Sequence, residues 1–599
     1  MIGTLHGLLA ASAWGQSELL LSTAEQSNWK RTGRYEEAVR LCQEAAKRDA
    51  ARARCFSFGE TPEGRPMMAL AVSGDGTLTP AAAKAKGRPV VIFQGGIHAG
   101  EIDGKDAGFA FLKETLSGVA EPLDASEEVE DLHKRSERIL KDAVLVFVPV
   151  FNIDGHERFG RWNRPNQVGP EEMGWRVTSG GLNLNRDYTK AASPEMTAML
   201  GLLQDWDPIL YIDLHVTDGA EFQPDIAVMT GPADGGPRPL ANAALSLRGA
   251  TMKFLKAHGH KPTDFYPSFV VDDDPATGFE RGFSPPRFSQ SYWAIRNRIG
   301  VLVETHSWKD YRWRCRATLN ALRILTLEAA RQGKSWMKTA AEADQDAARL
   351  AGKSVVLTWD HGPKSRVLDF PGYAYDREPS PISGRLETRY HPDKPEIWHV
   401  PLFEDVEPAL RITAPRGGYL VEAGYATMVA ERLTRHGIHF DRLKSPLGAT
   451  GLETWRATES TFEKESYEGR QRLKAKGKWT AEKRTLGPGA LFVPIRTKDA
   501  ALVMHLLEPD APDSLLGWGY FNSAFEMREY MEPYVADQYG RELLAKNPEV
   551  RAEFHRKLEK EPEFAKNPEA RLEFFYRHHT SWDERYRLYP VYRTEKSPL

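Results

Sequence analysis

Short apolar runs alternate with helical patterns through the first half of the chain. Runs of strand length, rich in Val, Ile and Leu, lie at 89–94, 143–151, 208–216 and 298–307. Segments that read as helices lie between them, at 104–115 and 193–204. Strands that alternate with helices predict an α/β fold, with a mixed, twisted sheet flanked by helices on both faces.

The pattern changes after a long Ala-rich helical segment at about 317–350, where shorter strands with many Pro and Gly begin. We therefore predict a first domain over 26–350, a smaller β-rich accessory domain over 351–515 and a helical C-terminal region over 516–599. Residues 1–25 contain a short apolar segment and an Ala-Ser-Ala pattern like a signal-peptidase site, without the basic segment expected before it. This start is interpreted either as a remnant export signal or as a disordered segment.

Composition narrows the class of protein. With 41% hydrophobic and 27% charged residues in a chain of 599, the sequence is typical of a globular protein with several domains. The net charge of −3 gives no field that would attract nucleic acid, so no nucleic-acid partner is predicted. No apolar run approaches the roughly 18 to 20 residues that cross a bilayer, so no transmembrane segment is predicted. Cys42, Cys55 and Cys315 form no C-x-x-C pattern, which indicates neither a disulfide framework nor a thiolate zinc site and leaves one bridge open.

Two His-x-x-Glu motifs raise the question of a metal site. About one such spacing is expected by chance among 17 histidines, so spacing alone proves nothing. His505 and Glu508 lie in an apolar run without a preceding Gly turn, and we interpret them as structural. His98 and Glu101 differ, because they follow a strand and the Gly-Gly turn at 95–96. Open α/β sheets gather ligands at such carboxyl ends of strands.

His215 supplies a third candidate ligand, because it stands at the carboxyl end of another apolar strand, before a polar loop. A catalytic zinc site takes three N or O ligands from the protein and keeps one position open for water. A single His at such a place is more often structural, but two histidines and a Glu at two strand ends match a His2Glu site. The sequence thus predicts one Zn²⁺ per chain, bound by His98, Glu101 and His215.

Candidate catalytic and substrate-binding groups lie in the same part of the chain. Glu304 closes the apolar strand GVLVE, where burial would raise its pKa towards a value useful for a general base. A salt-bridged carboxylate is the simpler interpretation of this residue alone. Arg176 and the pair Asn185-Arg186 lie in a Gly-rich loop. The pair could bind a carboxylate and Arg176 could stabilise an oxyanion, although each alone is more often a surface residue.

The ordered set HAGE, FNIDG, WR, GLNLNRDY, a strand ending in His215 and a strand ending in Glu304 resembles the zinc carboxypeptidase family of carboxypeptidase A-like metallopeptidases. The resemblance covers about residues 30–335, and the remainder resembles the C-terminal extension of long bacterial members. It implies that the first domain is a zinc peptidase catalytic domain. It implies a role for each residue: zinc ligands at His98, Glu101 and His215, a general base at Glu304, a carbonyl-polarising group at Arg176, and carboxylate-binding residues at Asn185 and Arg186.

The sequence departs from the family pattern at several positions. Arg176 lies only nine residues before Asn185, a tighter loop than in the digestive enzymes, so Arg161 or Arg164 could take its place. Asn183 stands where the family often has an Asp that contacts a zinc ligand, and loss of that charge would lower the ligand's basicity. The family's substrate-covering Tyr has two candidates here, Tyr266 and Tyr292.

The resemblance implies a zinc-dependent metallocarboxypeptidase that hydrolyses a C-terminal peptide bond with a zinc-bound water activated by a Glu base. Two alternatives stay open: a zinc-dependent amidase or deacylase acting on N-acyl amino acids, and a non-catalytic binding module of the same fold. The partner is then a peptide or acyl-amino-acid substrate, and a homodimer is a further prediction. Because many long bacterial members are exported, we expect a periplasmic or secreted location, with a cytoplasmic one as the alternative.

Overall fold

The computed structural model describes residues 21–124, 129–233 and 235–598. The export signal or disordered segment predicted at 1–25 therefore lies almost entirely outside the described residues. Within the described part of the chain, no helix has both the length and the apolar character needed to cross a membrane.

A mixed sheet of eight strands forms the centre of the first part of the chain. Its strands, together with the short β8 that joins another sheet, are β1 (Ala53–Glu60), β2 (Pro66–Val72), β3 (Val90–Gln94), β4 (Val144–Val148), β5 (Leu210–Val216), β6 (Ile226–Gly231), β7 (Pro262–Thr263), β8 (Phe279–Glu280) and β9 (Ile299–Thr305). The order is β1-β2-β4-β3-β5-β9-β6-β7, and the central set β4-β3-β5-β9 is parallel. Every residue of these four strands is buried, as expected for strands covered on both faces.

Helices flank the sheet on both faces. They are α1 (Thr23–Gln26), α2 (Tyr35–Arg48), α3 (Pro80–Lys86), α4 (Asp103–Ser117), α5 (Val129–Asp142), α6 (Ile153–Glu157), α7 (Pro194–Trp206), α8 (Arg238–Ala257), α9 (Ser289–Ile295) and α10 (Tyr311–Ala347). In β5, Leu214 packs against Gly104 of α4, whereas the Tyr211 ring contacts Trp293 of α9. Positions 211 and 214 point to opposite faces of a strand, so these two helices lie on opposite sides.

The chain after α10 is rich in strands and then helical. Its strands are β10 (Ser354–His361), β11 (Ser365–Pro379), β12 (Leu386–Phe403), β13 (Val406–Thr413), β14 (Gly418–Val421), β15 (Asp441–Arg442), β16 (Leu447–Phe462), β17 (Leu473–Leu486), β18 (Leu491–Pro494) and β19 (Val591–Thr594). Its helices are α11 (Ala423–Arg435), α12 (Ala500–Leu507), α13 (Pro533–Lys546), α14 (Pro548–Lys560), α15 (Pro562–Lys566) and α16 (Pro568–Tyr576). The predicted fold class, a mixed sheet flanked by helices and followed by β-rich and helical regions, is confirmed.

Long-range pairing ties these parts together. The last strand, β19, pairs with β14 and β16, so the end of the chain returns to the accessory sheet. One cluster of buried side chains includes Phe93 of β3, Leu433 of α11 and Leu502 of α12, and thus joins the central sheet to the region after α10. The domain boundaries near 350 and 515 stay predictions.

The one bridge that the sequence left open is present. A disulfide between Cys42 and Cys55 links α2 to β1, and Cys315 is a buried free thiol. Structural disulfides persist mainly in oxidising compartments, so this bridge hints at an extracytoplasmic location.

Candidate metal centre

A tight turn after β3 places the first two candidate ligands, His98 and Glu101. Gly96 has a φ of +62°, in the left-handed region that favours Gly. A Cβ at Gly95 would lie 2.8 Å from the backbone nitrogen of Lys105, so this position also requires Gly. The backbone N–H of Glu101 donates to the carbonyl of His98 over 2.9 Å, which keeps the two residues in one turn.

His98, Glu101 and His215 converge at the carboxyl ends of β3 and β5. One candidate ligand atom from each lies within 4.8 Å of the others. Nδ1 of His98 is 2.9 Å from Oε1 of Glu101, and Nδ1 of His215 is 3.0 Å from its Oε2. All three side chains are buried, and Nδ1 of His98 has no hydrogen-bond partner in the described part of the chain. A cation between the two Nδ1 atoms and the carboxylate would satisfy that nitrogen, so these residues fit one Zn²⁺.

The outer nitrogens of the two histidines have different partners. Nε2 of His98 is 3.0 Å from the amide oxygen Oδ1 of Asn183. Nε2 of His215 is 2.8 Å from the carboxylate oxygen Oδ2 of Asp213. The outer nitrogen of His215 thus faces a charged carboxylate, whereas that of His98 faces a neutral amide. Asp213 was not predicted as part of the site, although alternation along a strand puts positions 213 and 215 on one face.

Burial and neighbouring charges set the protonation of the cluster. Burial lowers the pKa of His98 to about 4. Burial would also lower the pKa of His215, but the carboxylates of Asp213 and Glu101 raise it well above its usual range. Burial would raise the pKa of Glu101, but Arg164 and the two histidines hold it well below its usual range. Glu101 is thus an anion at the centre of the cluster.

Glu304 lies beside His215, its partner in the register of β9 and β5. The residue is only 7% exposed, and its buried Oε2 has no hydrogen-bond partner among the described residues. Burial raises the pKa of Glu304 to about 8 against the opposing charge of His215. The described ion pairs include none to Glu304, so the interpretation as a salt-bridged carboxylate gains no support.

The three candidate arginines occupy different positions. Nη1 of Arg176 is 3.1 Å from Oε1 of Glu101, and its side chain, 38% exposed, lines the cavity over the cluster. Nη1 of Arg164 is 2.5 Å from the same oxygen, but this side chain is buried and also donates to two backbone carbonyls at the end of β5. Arg161 is exposed and makes no described contact with the cluster. Of these three candidates, Arg176 is therefore the one that lines the cavity.

Asn185 and Arg186 stand next to the cluster in a 3₁₀ turn, Leu184–Arg186. Nδ2 of Asn185 is 3.5 Å from Nε2 of His215, and its Oδ1 accepts a hydrogen bond from a backbone N–H at the start of α9 over 3.1 Å. The Arg186 guanidinium lies 4.3 Å from the centre of the Phe288 ring. Both side chains line the same cavity as the three candidate ligands.

This cavity has a volume of about 1040 Å³ and distinguishes the two Tyr candidates. Tyr266 lines it and donates to Oδ1 of Asp218 over 3.2 Å. Tyr292 is fully buried and bonds to Nδ1 of His436 over 2.9 Å, so it lies outside the cavity wall. Of the two, only Tyr266 can reach a bound substrate.

The second His-x-x-Glu motif does not form a metal cluster. His505 lines another part of the cavity wall on α12. Glu508 instead accepts a hydrogen bond from Nε of Arg593 over 2.9 Å. In the part of the chain that the structure describes, the group able to hold a metal is the one at His98, Glu101 and His215.

Comparisons with known proteins match the part of the chain that carries the candidate ligands. Residues 38–224 match the family model described as zinc carboxypeptidase. Carboxypeptidase 2 of Trichophyton rubrum is 23% identical over an alignment of 481 residues, and the match covers 77% of this chain and 79% of that protein. The segment 38–224 that matches the family model contains His98, Glu101 and His215 and ends before Glu304.

Two solved structures similar to this chain are described as carboxypeptidases. A metallo-carboxypeptidase from Burkholderia cenocepacia is 15% identical with a TM-score of 0.35, over 50% of this chain and 69% of that chain. The carboxypeptidase A from Helicoverpa armigera is 16% identical with a TM-score of 0.33, over 56% of this chain and 79% of that chain. At TM-scores this low, the two structures carry no argument about the fold or the function of this chain.

Proposed function

We propose that the protein is a metallocarboxypeptidase that removes the C-terminal residue of peptides, and the match of residues 38–224 to the zinc carboxypeptidase family model supports this proposal. One observation carries this proposal. The candidate metal ligands, Glu304 and the pair Asn185-Arg186 line a single cavity. A carboxypeptidase needs a metal site, a general base and an anchor for the substrate carboxylate within reach of one another.

Glu304 is the proposed general base. When bound, zinc lowers the pKa of a water ligand towards about 7 and polarises the substrate carbonyl. Glu304 stands beside the ligand His215, and its Oε2 has no hydrogen-bond partner in the described chain. That oxygen would take the proton of the attacking water and pass it to the leaving amine.

The remaining cavity residues would orient the substrate. Arg176 has donors directed at Glu101 and still presents part of its guanidinium to the cavity, where it would face the oxyanion. Arg186 with Asn185 would bind the terminal carboxylate, since a guanidinium forms strong, charge-assisted hydrogen bonds with a carboxylate. Tyr266, which also lines the cavity, would cover the substrate.

A deacylase of N-acyl amino acids would use the same residues, because such a substrate also ends in a free carboxylate next to an amide. The two activities differ in the group on the other side of the scissile bond. A non-catalytic binding module would not need both the metal ligands and a base, and all four residues stand together here. The disulfide supports a periplasmic or secreted location for the protein, where it would meet peptide substrates. A homodimer stays a prediction.

A substrate panel tests the proposal. The zinc-loaded protein is assayed on an N-acylated dipeptide with a free C-terminal carboxylate, called the free dipeptide below. It is also assayed on the same dipeptide with a C-terminal amide and on N-acetyl amino acids. We expect cleavage of the free dipeptide at a kcat/KM at least about 30-fold above that of the amide, because loss of one partner of a charge pair costs at least about 2 kcal/mol. Faster cleavage of the N-acetyl amino acids would make the protein a deacylase, and no cleavage by zinc-loaded protein would make it a binding module.

A further inference from the structure

The hairpin of β16 and β17 reaches from the accessory region to the candidate active site. Its tip is a tight turn in which the backbones of Tyr467 and Arg470 exchange hydrogen bonds of 2.9 and 3.1 Å. Between them, Glu468 has a φ of +52° and Gly469 a φ of +71°. Two successive positive φ values are typical of a type I′ turn, which holds a hairpin tip in one geometry.

The tip contacts the loop that carries the proposed carboxylate anchor. Oε2 of Glu468 accepts a hydrogen bond from the backbone N–H of Asn183 over 2.8 Å. The hydroxyl of Tyr467 accepts one from Nε of Arg186 over 3.2 Å. The tip thus holds both the loop backbone and the guanidinium group.

These contacts leave one side of Arg186 available. Its Nε is engaged by Tyr467, its Nη1 donates to the carbonyl of Asn185 over 2.8 Å, and its guanidinium lies over Phe288. Its Nη2 has no hydrogen-bond partner among the described residues, and the side chain lines the cavity. A guanidinium fixed on one side and open on the other is prepared to pair with a carboxylate.

The tip is itself held firmly by the accessory region. The Tyr467 ring stacks on Trp518, with ring centres 6.0 Å apart and planes at 8°. Arg470 donates to the backbone carbonyls of Trp518 and Gly519, each over 3.2 Å. The position of Tyr467 is therefore set by the accessory region and not by the anchor that it contacts.

We propose that Tyr467 and Glu468 are positioning residues for the substrate carboxylate, supplied to the active site by the accessory region. Tyr467 fixes the plane of the Arg186 guanidinium, and Glu468 fixes the loop that carries it. This inference rests on the proposed function, since it takes Arg186 as the anchor of a terminal carboxylate. It gives the β16–β17 hairpin, which lies outside the matched segment 38–224, a part in substrate selection.

Tyr467→Phe tests the contact with the guanidinium, because it removes the hydroxyl and keeps the ring on Trp518. We expect KM for the free dipeptide to rise about 3- to 10-fold, the usual effect of one lost hydrogen bond, with kcat within about twofold of the wild type. Zinc content should not change. Tyr534→Phe is the matched control, because this Tyr is 74% exposed on α13 and makes no described side-chain hydrogen bond.

Glu468→Gly and Glu468→Gln test the contact with the loop. Gly tolerates the positive φ, so Glu468→Gly removes the carboxylate without straining the turn. We expect its KM to rise as in Tyr467→Phe, and Glu468→Gln, which keeps an acceptor oxygen, to restore most of the wild-type KM.

The outcomes separate this inference from the proposed function. A wild-type enzyme that cleaves the amide as well as the free dipeptide would overturn the proposed anchor. A wild-type enzyme that requires the free carboxylate, with Tyr467→Phe and Glu468→Gly matching its KM, would overturn only the role of the hairpin. A fall in kcat or in zinc content at unchanged KM would also overturn it, since that result would point to the metal site.

Discussion

Replacing Asp213 by Asn should weaken zinc binding while the fold is kept. Asp213 is fully buried, its Oδ2 lies 2.8 Å from Nε2 of His215, and its Oδ1 accepts from Nε2 of Gln94 over 2.9 Å. Asn has nearly the same size and still offers an oxygen to one of these partners. The substitution therefore removes mainly the negative charge that orients His215 and makes it a better ligand.

The size of the effect follows from this contact. Loss of a partner behind a metal-binding His lowers metal affinity about 10- to 100-fold, which is about 1.4 to 2.8 kcal/mol. Adding a negative charge beside the other histidine ligand, His98, serves as a control. Oδ1 of Asn183 is 3.0 Å from Nε2 of His98, so Asn183→Asp puts a charge at that place and should tighten zinc binding by a similar factor.

Competition with a chelator of known affinity measures the zinc Kd of the wild type and both variants. Urea unfolding of the same samples shows whether each variant is folded. A folded Asp213→Asn protein with the wild-type Kd would refute the argument that Asp213 supports His215 as a ligand. Weaker binding by Asn183→Asp would refute the argument that charge on the outer nitrogen strengthens this site.

Two further predictions concern stability. Burial lowers the pKa of His505 from 6.5 to about 4, so between these pH values the unfolded chain binds a proton that the folded chain excludes, and stability falls as the pH is lowered. Urea unfolding at pH 7 and at pH 5 gives the fall in the free energy of unfolding between the two pH values. This fall should be about 1.5 to 2 kcal/mol smaller for His505→Gln than for the wild type, and equal falls would contradict a lowered pKa at His505. Reducing the disulfide between Cys42 and Cys55, which are 13 positions apart, should lower the free energy of unfolding by about 3 kcal/mol. Urea unfolding with and without dithiothreitol measures this difference in free energy. The stability of the double variant Cys42→Ser/Cys55→Ser should not depend on the reductant. A wild type whose stability is unchanged by the reductant would count against the bridge.

The residues at strand ends could be predicted from the sequence. His98 with Glu101, His215 and Glu304 each follow or close an apolar run, and parallel strands bring their carboxyl ends to one edge of a sheet. Asp213 could have been found in the same way, because it alternates with His215 along β5. Local pattern and topology together are enough for this part of the site.

Other parts of the site depend on packing between distant segments. Arg164 reaches Glu101 from an irregular stretch before the 3₁₀ turn, where no periodicity fixes the path of the chain. Tyr467 and Arg186 are 281 positions apart. Alternation in β16 and β17 predicts a hairpin, but it cannot say which loop the tip meets. The same limit applies to β19, whose pairing with β14 is decided by tertiary packing.

Zinc content by elemental analysis, paired with hydrolysis of the free dipeptide, for the wild type and Glu304→Gln tests whether the protein is a zinc hydrolase with Glu304 as its base. We expect one zinc per chain in both proteins and a kcat about 10²- to 10⁴-fold lower in the variant, the usual contribution of a general base. Absence of zinc from the active wild type, or full activity in zinc-loaded Glu304→Gln, would contradict it.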